Sequence, residues 1–180
     1  MNIASDFDGT ISAYGQAVGA QLELNMPLLL QWVQLGVTGV AIVTNQGGLG
    51  LGLRDEYEGN VSRFRTPAEF AARINETARV LGTLGLDLYC VSVATFHPKV
   101  SSEYCHLAAQ RLQQAVRLDT LLHASGSWDW RKPSPTMLIH LPTKASVYYG
   151  DSDEDEQAAM LAGMPFSKVD RFYGEKGRAA

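Results

Sequence analysis

The feature that most constrains the fold of this chain is a regular alternation of short apolar runs with longer amphipathic segments. The run "TGVAIVTN" (38–45) is apolar through its interior, which is typical of a parallel strand buried on both faces. The preceding segment, "NMPLLLQWVQLG", has the signals of a helix, with Asn25 as the N-cap, Pro27 in the first turn and Gly36 at the end. Together with the short apolar run at residues 2–5, these segments predict a strand–helix–strand unit.

The remainder of the chain continues this alternation. Thr66 and Glu69 have the spacing of a capping box, which predicts the start of a long helix, and "LYCVSVATF" predicts the next strand. The segments after it are a second long helix ("SSEYCHLAAQRLQQAVRL"), a turn-rich stretch ("HASGSWDWRKPSP"), a short helix near residues 136–141, a strand ("ASVYYG"), a helix that begins at "DSDEDE", and a candidate edge strand ("KVDRFYG"). This order predicts an α/β fold with a mainly parallel sheet.

The length of the chain predicts one domain. A chain of 180 residues can build one sizeable core but is short for two, so we expect residues 1–180 to form a single unit. Within it, residues 47–65 are rich in glycine and charge and show no sustained period, which predicts a long exposed loop. Cys90 and Cys105 are too few for a disulfide framework, and we expect both to be reduced.

Charge and hydropathy bear on the partners and the location of the protein. The formal net charge is -4 and no cluster of Lys and Arg occurs, so the sequence shows no electrostatic grip on nucleic acid, although distant residues could still form a local patch. The start of the chain lacks the pattern of a signal peptide, and no apolar stretch approaches the roughly 18 residues of a membrane span. We therefore expect a cytoplasmic protein that does not interact with a membrane.

Polar residues that could take part in catalysis or binding come directly after the predicted strands. They are Asp6 and Asp8 after the first strand, Thr44 and Asn45 after the second, and Asp151 and Asp155 after a later one, with Lys132 in the segment before it. In open parallel sheets, ligands bind outside the carboxyl ends of the strands, so we expect these residues to converge. Converging carboxylates raise one another's pKa values unless a cation joins them, and oxygen ligands without nearby Cys or His favour Mg2+.

Each of these segments also has a simpler explanation when it is taken alone. "DFDGT" is also the composition of an Asp-Gly turn, and "TNQGG" that of a strand end followed by a turn. "RKPSP" alone is a basic loop before a helix, and "GDSDED" is equally an acidic helix start, where the helix dipole favours negative charge. The combination of all four segments changes this balance.

Together, the four segments resemble the motifs of the haloacid dehalogenase superfamily of phosphatases and phosphotransferases, and they occur in the same order. The matching residues are Asp6 to Thr10 ("DFDGT"), Thr44 at the end of "VAIVT", Lys132 in "RKPSP", and Gly150-Asp151 with Asp155 four residues later. The resemblance covers residues 1 to about 165. It implies a Rossmann-like, three-layer α/β/α fold with a mainly parallel central sheet and no sizeable cap domain.

The resemblance implies a catalytic role for four residues. Asp6 is expected to be the nucleophile that forms an aspartyl-phosphate, and Asp8 the general acid that protonates the leaving oxygen and then the base that activates water. Thr44 and Lys132 are expected to stabilise the charge on the transferring phosphoryl group. Retention of Asp8 favours phosphate chemistry over dehalogenation.

The same resemblance implies a magnesium site. Asp6, the main-chain carbonyl of Asp8, and Asp151 are expected to hold Mg2+, and Asp155 to support the site from its edge. Such a cation would bridge anions that otherwise repel one another. The two aspartates of "DFDG" can then lie close together, because one binds a cation while the other holds a proton.

"TNQGG" and "RKPSPTML" resemble a narrower group that contains histidinol-phosphate, heptose-bisphosphate and polynucleotide 3'-phosphatases. By this match, Asn45, Gln46 and Arg131 are expected to line the phosphate and substrate pocket. The sequence departs from the small-molecule members of the group, because "SWDW" replaces a zinc-binding loop of Cys and His residues before Lys132. No cap domain is evident between the motifs, so we expect either an open site, which suits a large substrate, or a lid formed by the Gly-rich loop at 47–65.

These observations predict a Mg2+-dependent phosphatase that acts on a phosphorylated small molecule or on a phosphorylated nucleic-acid end. The absent zinc loop and cap favour a polynucleotide 3'-phosphate or a nucleotide, whereas the negative net charge favours a smaller substrate, such as a sugar phosphate or histidinol phosphate. A phospho-acceptor switch or binding module without turnover is a second hypothesis, although Asp8 would be of no use to it. A phosphotransferase is a third.

Overall fold

The computed structural model describes residues 1–116 and 121–174, which form a parallel sheet with helices on both faces. The strands are β1 (Asn2–Ser5), β2 (Gly39–Asn45), β3 (Asp87–Ala94), β4 (Leu121–Ser125), β5 (Tyr148–Gly150) and β6 (Phe166–Lys168). Their order is β4-β3-β2-β1-β5-β6, and each neighbouring pair is parallel. The predicted α/β fold with a mainly parallel sheet is therefore confirmed.

The helices follow the predicted alternation. They are α1 (Met26–Gln34), α2 (Gly48–Glu58), α3 (Pro67–Thr83), α4 (Ser102–Ala115), α5 (Thr136–Ile139) and α6 (Asp153–Leu161), with a 3-10 turn at Trp128–Trp130. The Asn25 side chain accepts a hydrogen bond from the amide of Leu28, which confirms the predicted N-cap of α1. The capping box at the start of α3 is also confirmed, because Thr66 and Glu69 each accept from the backbone amide of the other.

The core lies on both faces of the sheet because consecutive side chains of a strand point in opposite directions. Ile3 and Ile42 belong to one apolar cluster, with side chains of α1, α2, α3 and α4. Ala4 and Val43, their neighbours in the chain, belong to the cluster on the other face, with α5 and α6. Each strand interior is therefore buried on both sides, as the apolar run of β2 predicts.

The position of β1 in the middle of the sheet assembles the site. Ser5 pairs with Ile42 of β2 on one side and with Tyr149 of β5 on the other. The residues that follow these three strands consequently emerge next to one another at the same edge of the sheet. This edge carries the carboxyl ends of the strands, where ligands bind in open α/β sheets.

The prediction of an exposed loop over residues 47–65 is wrong for 48–58, which form helix α2. Leu49, Leu51 and Leu53 are buried in the core, so tertiary packing overrides the low helix propensity of the glycines between them. Gly52 faces the backbone at Arg65, where a β-carbon would overlap the carbonyl oxygen and lie 2.7 Å from the carbonyl carbon. The glycines thus permit a close helix–loop contact that composition alone does not reveal.

Two smaller differences concern the sheet edges. Strand β4 overlaps the beginning of the stretch that was predicted to be turns, and β6 ends at Lys168, where the predicted edge strand begins.

Cys90 and Cys105 are both buried free thiols. Within residues 1–116 and 121–174, no helix combines the length and the apolar character that crossing a bilayer requires.

A matched pair of substitutions tests the packing of α2. Gly52→Ala should lower the free energy of unfolding by about 1–3 kcal/mol, because the added methyl group would force α2 away from the Arg65 backbone. Gly82→Ala, in α3 with open space around its α-carbon, should raise it by about 0.5–1 kcal/mol through helix propensity. Both changes can be measured by urea denaturation. Stabilisation by Gly52→Ala would contradict the close contact.

Candidate active site

The centre of the site is the buried ammonium group of Lys132. Its Nζ atom lies 2.6 Å from Asp6 Oδ1 and 2.5 Å from Asp155 Oδ1. The hydroxyl of Tyr148, at 3.0 Å, and the carbonyl of Val43, at 3.2 Å, complete its surroundings. The residues Asp6, Lys132 and Asp155 are 6%, 3% and 1% exposed, so water screens their charges weakly. Two carboxylates and one ammonium leave one excess negative charge when all three are ionised.

The charges of this cluster shift one another's pKa values. Burial raises the pKa of Asp6 to about 7, although the Lys132 ammonium opposes the shift. Burial also acts to lower the pKa of Lys132, but Asp6 and Asp155 outweigh it and the pKa is raised. For Asp155, burial raises the pKa, yet Lys132 and the hydrogen bonds that the carboxylate accepts from Ser152 and Tyr148 lower it overall. Asp155 is therefore the better ionised partner of Lys132.

The Asp155 carboxylate is occupied by four protein donors. Its Oδ1 atom accepts from Lys132 and, at 2.7 Å, from the hydroxyl of Tyr148. Its Oδ2 atom accepts from the amide of Ser152 at 3.0 Å and from the Ser152 hydroxyl at 2.5 Å. The second set is the capping box that begins α6. Asp155 therefore anchors both Lys132 and the first turn of α6, while its predicted support of a metal site stays a prediction.

Gln46 connects the side chains of Asp8 and Thr44. Its Nε2 atom donates to Asp8 Oδ2 at 2.5 Å and to Thr44 Oγ1 at 3.0 Å. Ser12 donates to the other carboxylate oxygen of Asp8 at 3.2 Å. Thr44 accepts in its contact with Gln46, so its hydroxyl proton points elsewhere. Gln46, which was predicted to bind substrate, is placed to fix the orientation of Asp8 and Thr44.

Asn45 holds the backbone of the lysine segment. Its Oδ1 atom accepts from the amide of Lys132 at 2.9 Å, and its Nδ2 atom donates to the carbonyl of Lys132 at 3.2 Å and to Glu154 at 3.1 Å. Arg131 lines the cleft and lies 3.9 Å from the carboxylate of Glu154. Asn45 thus positions Lys132, and both Asn45 and Arg131 line the cleft.

Asp6, Asp151 and Asp155 form the group of acidic side chains that could hold a metal ion, since one oxygen of each lies within 4.8 Å of the others. Asp151 lies against Gly9, where a β-carbon would come 2.7 Å from Asp151 Oδ2. The contacts of Asp6 and Asp151 use one carboxylate oxygen of each, Asp6 Oδ1 with Lys132 and Asp151 Oδ2 with Arg171. The remaining hard oxygens fit the preference of Mg2+.

Three residues of the site did not come from the sequence motifs. Arg171 donates through Nε to Asp151, and its guanidinium carbon lies 4.5 Å from the ring centre of Tyr14. Both residues line a cleft of about 460 Å³ with the predicted catalytic side chains. Tyr148 is buried beneath them, and burial raises its pKa well above the ordinary value. Arg171 follows strand β6, so its place after a strand was a signal that could have identified it.

The raised pKa of Asp6 predicts a specific pH dependence of stability in the absence of Mg2+. Between the ordinary carboxyl pKa of 3.8 and about 7, the folded protein keeps a proton on Asp6 that the unfolded chain releases. The unfolded state then binds fewer protons, so stability falls as pH rises through this window. As pH rises through this window, the free energy of unfolding of the unmodified protein should fall by at least about 1 kcal/mol relative to that of the Asp6→Asn variant.

Urea denaturation at a series of pH values measures this difference. Asp87→Asn, at the opposite end of the sheet and exposed, is the control and should follow the unmodified protein. A difference between the Asp6→Asn variant and the unmodified protein that stays constant, or that grows in favour of the unmodified protein, would contradict the burial of an ionisable Asp6.

Comparison with solved structures finds a similar chain, described as a D,D-heptose 1.7-bisphosphate phosphatase from B. bronchiseptica complexed with magnesium and phosphate. The TM-score is 0.62 at 21% sequence identity, and the match covers 99% of this chain and 85% of that one. The sequence matches no family model, and no curated protein matches it. At this identity the likeness shows the fold alone, an α/β arrangement around a parallel central sheet, which agrees with the fold class expected from the sequence.

Proposed function

We propose that the protein is a Mg2+-dependent phosphatase that hydrolyses a phosphomonoester through an aspartyl-phosphate on Asp6. The observation that carries the proposal is the convergence of Asp6, Asp151 and Asp155 at one sheet edge, with the ammonium of Lys132 between two of them. This arrangement joins a carboxylate nucleophile, a fixed cation and oxygen ligands for a metal within one cleft. The likeness to a phosphatase structure that contains magnesium and phosphate supports it.

Asp6 supplies the nucleophile. Lys132 holds the carboxylate through Oδ1 at 2.6 Å, and the carboxylate attacks the phosphorus atom as the bond to the leaving oxygen breaks. The pair also orients the carboxylate, so that little conformational freedom is lost when the substrate binds. The product of this step is a mixed anhydride between Asp6 and the phosphoryl group.

Asp8 supplies the proton transfers. Hydrogen bonds from Gln46 and Ser12 fix its carboxyl group two residues from the nucleophile. Its proton passes to the leaving oxygen in the first step, and in the second step the carboxylate takes a proton from the water that attacks the aspartyl-phosphate. General acid–base catalysis of this kind contributes typically about 10²–10⁴-fold.

Thr44 and Lys132 stabilise the charge that spreads over the phosphoryl oxygens. The Thr44 hydroxyl donates from a position fixed by Gln46, and Lys132 supplies a full positive charge in a site of low exposure. Asp6, the main-chain carbonyl of Asp8, and Asp151 would hold Mg2+, which would supply further positive charge for the transferring phosphoryl group and reduce repulsion by the carboxylates. Asp155 supports this arrangement by holding Lys132.

The substrate that we propose is a phosphorylated small molecule. The negative net charge of the chain and the likeness to a heptose-bisphosphate phosphatase favour it. A phosphorylated nucleic-acid end is the alternative, and a screen that contains 3'-phosphorylated oligonucleotides, nucleotides and sugar phosphates separates the two.

Turnover of p-nitrophenyl phosphate tests the phosphatase proposal. Activity should require Mg2+, Asp6→Asn should remove it, and Asp8→Asn should lower kcat by about 10²–10⁴-fold because the leaving oxygen and the water lose their proton donor and acceptor. Asp87→Asn, exposed at the amino-terminal end of β3, is the matched control and should retain activity. Unchanged turnover in the Asp6→Asn protein would rule out the proposed nucleophile.

The ion pair of Arg171 with Asp151 predicts an effect on metal affinity. A guanidinium on Asp151 competes with a cation for the same carboxylate, so Arg171→Gln should lower the Kd for Mg2+ by roughly two- to fivefold, the range of a partly exposed ion pair. Isothermal titration calorimetry measures this affinity without substrate. Lys168→Gln, which removes an exposed pair with Asp153, serves as the control. Weaker Mg2+ binding in Arg171→Gln would show that Arg171 supports the metal ligand and does not compete with the ion.

A further inference from the structure

Two arginines outside the predicted site lie together beneath the loop that follows Asp8. Arg65 donates through Nη2 to the carbonyl of Gln16 at 2.6 Å. Arg73 donates through Nη2 to the side-chain oxygen of the same residue, and through Nη1 to the carbonyl of Ala20 at a long 3.5 Å. Arg73 is 8% exposed, and Arg65 is half-buried. The two guanidinium groups therefore share one small region of the protein.

The positive charge of this pair is not neutralised by a direct ion pair with any described residue. Within 1–116 and 121–174, no carboxylate lies at ion-pair distance from Arg65 or Arg73, and their acceptors are the neutral oxygens of Gln16 and Ala20. The Nε atom of Arg73 is buried and has no partner in this part of the chain. A buried charge without a partner is costly, and burial together with the Arg65 charge lowers the pKa of Arg73 to about 10.

The pair lies near Asp8, behind the residues that line the cleft. The loop above it starts just after Ser12, which donates to Asp8, and is closed by a bridge between Ser12 and Leu24. Phe70, one turn before Arg73 in α3, packs edge-on against Phe7 at 5.8 Å between ring centres. The carboxylate of Asp8 is close enough to act electrostatically on Arg73. Asp8 is the proposed acid for the leaving oxygen, so the region beyond it receives the rest of the substrate.

We propose that Arg65 and Arg73 form a second anion subsite, which binds a phosphate on the leaving group of the substrate. The proposal rests on the proposed function, since it takes Asp8 as the marker of the leaving-group side. It assigns the substrate to a narrower class, the small molecules that carry two phosphates. A phosphate has the charge and the several acceptor oxygens that two guanidinium groups require, and charge-assisted pairs of this kind are among the strongest hydrogen bonds in proteins.

Access to the subsite would require the loop that holds Gln16 to move, and two glycines lie within this loop. Gly15 and Gly19 flank Gln16, both have positive φ, and neither has an atom within 4 Å of the position of a β-carbon. Of the three residues between them, Ala17 is exposed and the other two are partly exposed. An entering phosphate oxygen takes the place of the Gln16 side-chain oxygen as the acceptor for Arg73, while the unpartnered Nε atom gains an acceptor.

Substrate selectivity provides the first test. The measured quantity is the ratio of kcat/KM for a bisphosphate to that for the matching monophosphate. One pair is fructose 1,6-bisphosphate and fructose 1-phosphate, and the other is adenosine 3',5'-bisphosphate and adenosine 3'-monophosphate. Comparison of the two ratios shows whether a sugar or a nucleoside is the preferred carrier of the two phosphates. Arg65→Gln should lower the favoured ratio by about tenfold or more, since one charge-assisted contact is lost. Arg63→Gln, an exposed arginine two residues away that lies over Phe64, is the control and should leave the ratio unchanged. An equal ratio in Arg65→Gln and the unmodified protein would overturn the subsite.

A binding test without turnover keeps the two proposals separate. Inorganic sulfate should raise the Tm of the unmodified protein and of Arg63→Gln, and Arg65→Gln and Arg73→Met should each lose part of this shift. Without anion, Arg73→Met should be as stable as the unmodified protein or more stable, because a buried unpaired charge is replaced by an apolar side chain of similar length.

The outcomes of the two tests are distinct. If Arg73→Met lowers the Tm and retains the full sulfate shift, Arg73 is a structural anchor for the loop, and the subsite is overturned. If no phosphate ester is hydrolysed but the sulfate shift depends on both arginines, the phosphatase proposal fails while the anion subsite stands. If monophosphates are hydrolysed and neither arginine affects selectivity or the sulfate shift, the phosphatase proposal stands and the subsite fails.

Discussion

The pairing of one buried ammonium with two carboxylates is the interaction on which the rest of the site depends. Lys132 contacts Asp6 and Asp155 at the same time, and these three groups are almost fully shielded from water. Without the ammonium, two buried carboxylates would repel each other and take up protons. With it, Asp155 remains ionised and Asp6 is oriented, and once Asp6 is also ionised, the excess negative charge at the base of the cleft is suited to a divalent cation.

The order of the strands explains how distant parts of the sequence supply this cluster. Lys132 and Asp6 are 126 residues apart, yet β1 lies between β2 and β5, so the residues after these strands emerge side by side. The backbone of Lys132 is fixed by Asn45 at the end of β2, and Asp155 is fixed by the first turn of α6. The chemistry therefore arises from the sheet topology, which brings the ends of separate strands into one edge.

The strand–helix alternation and the strand-end residues could be predicted from sequence because both depend on local patterns. Helix α2 could not, since its glycines lower helix propensity, and its stability comes from packing of Leu49 and Leu53 in the core and of Gly52 on a distant backbone. The roles of Gln46 and Tyr148 depend on which side chains meet across neighbouring strands, as does the place of Arg171 beside Asp151. These side-chain contacts depend on the assembled sheet and cannot be predicted from the periodicity of the sequence.

The double use of Asp155 has a consequence for the motions of the protein. One oxygen closes the capping box of α6 and the other holds the lysine, so fraying of the first helical turn and release of the ammonium become a single event. A fluctuation that is harmless at the start of most helices would here disturb the pairing of Lys132 with Asp155 and, through Lys132, the orientation of Asp6, the proposed nucleophile. The rigidity of an ordinary helix terminus thus sets how long the charged cluster persists in the arrangement that chemistry requires.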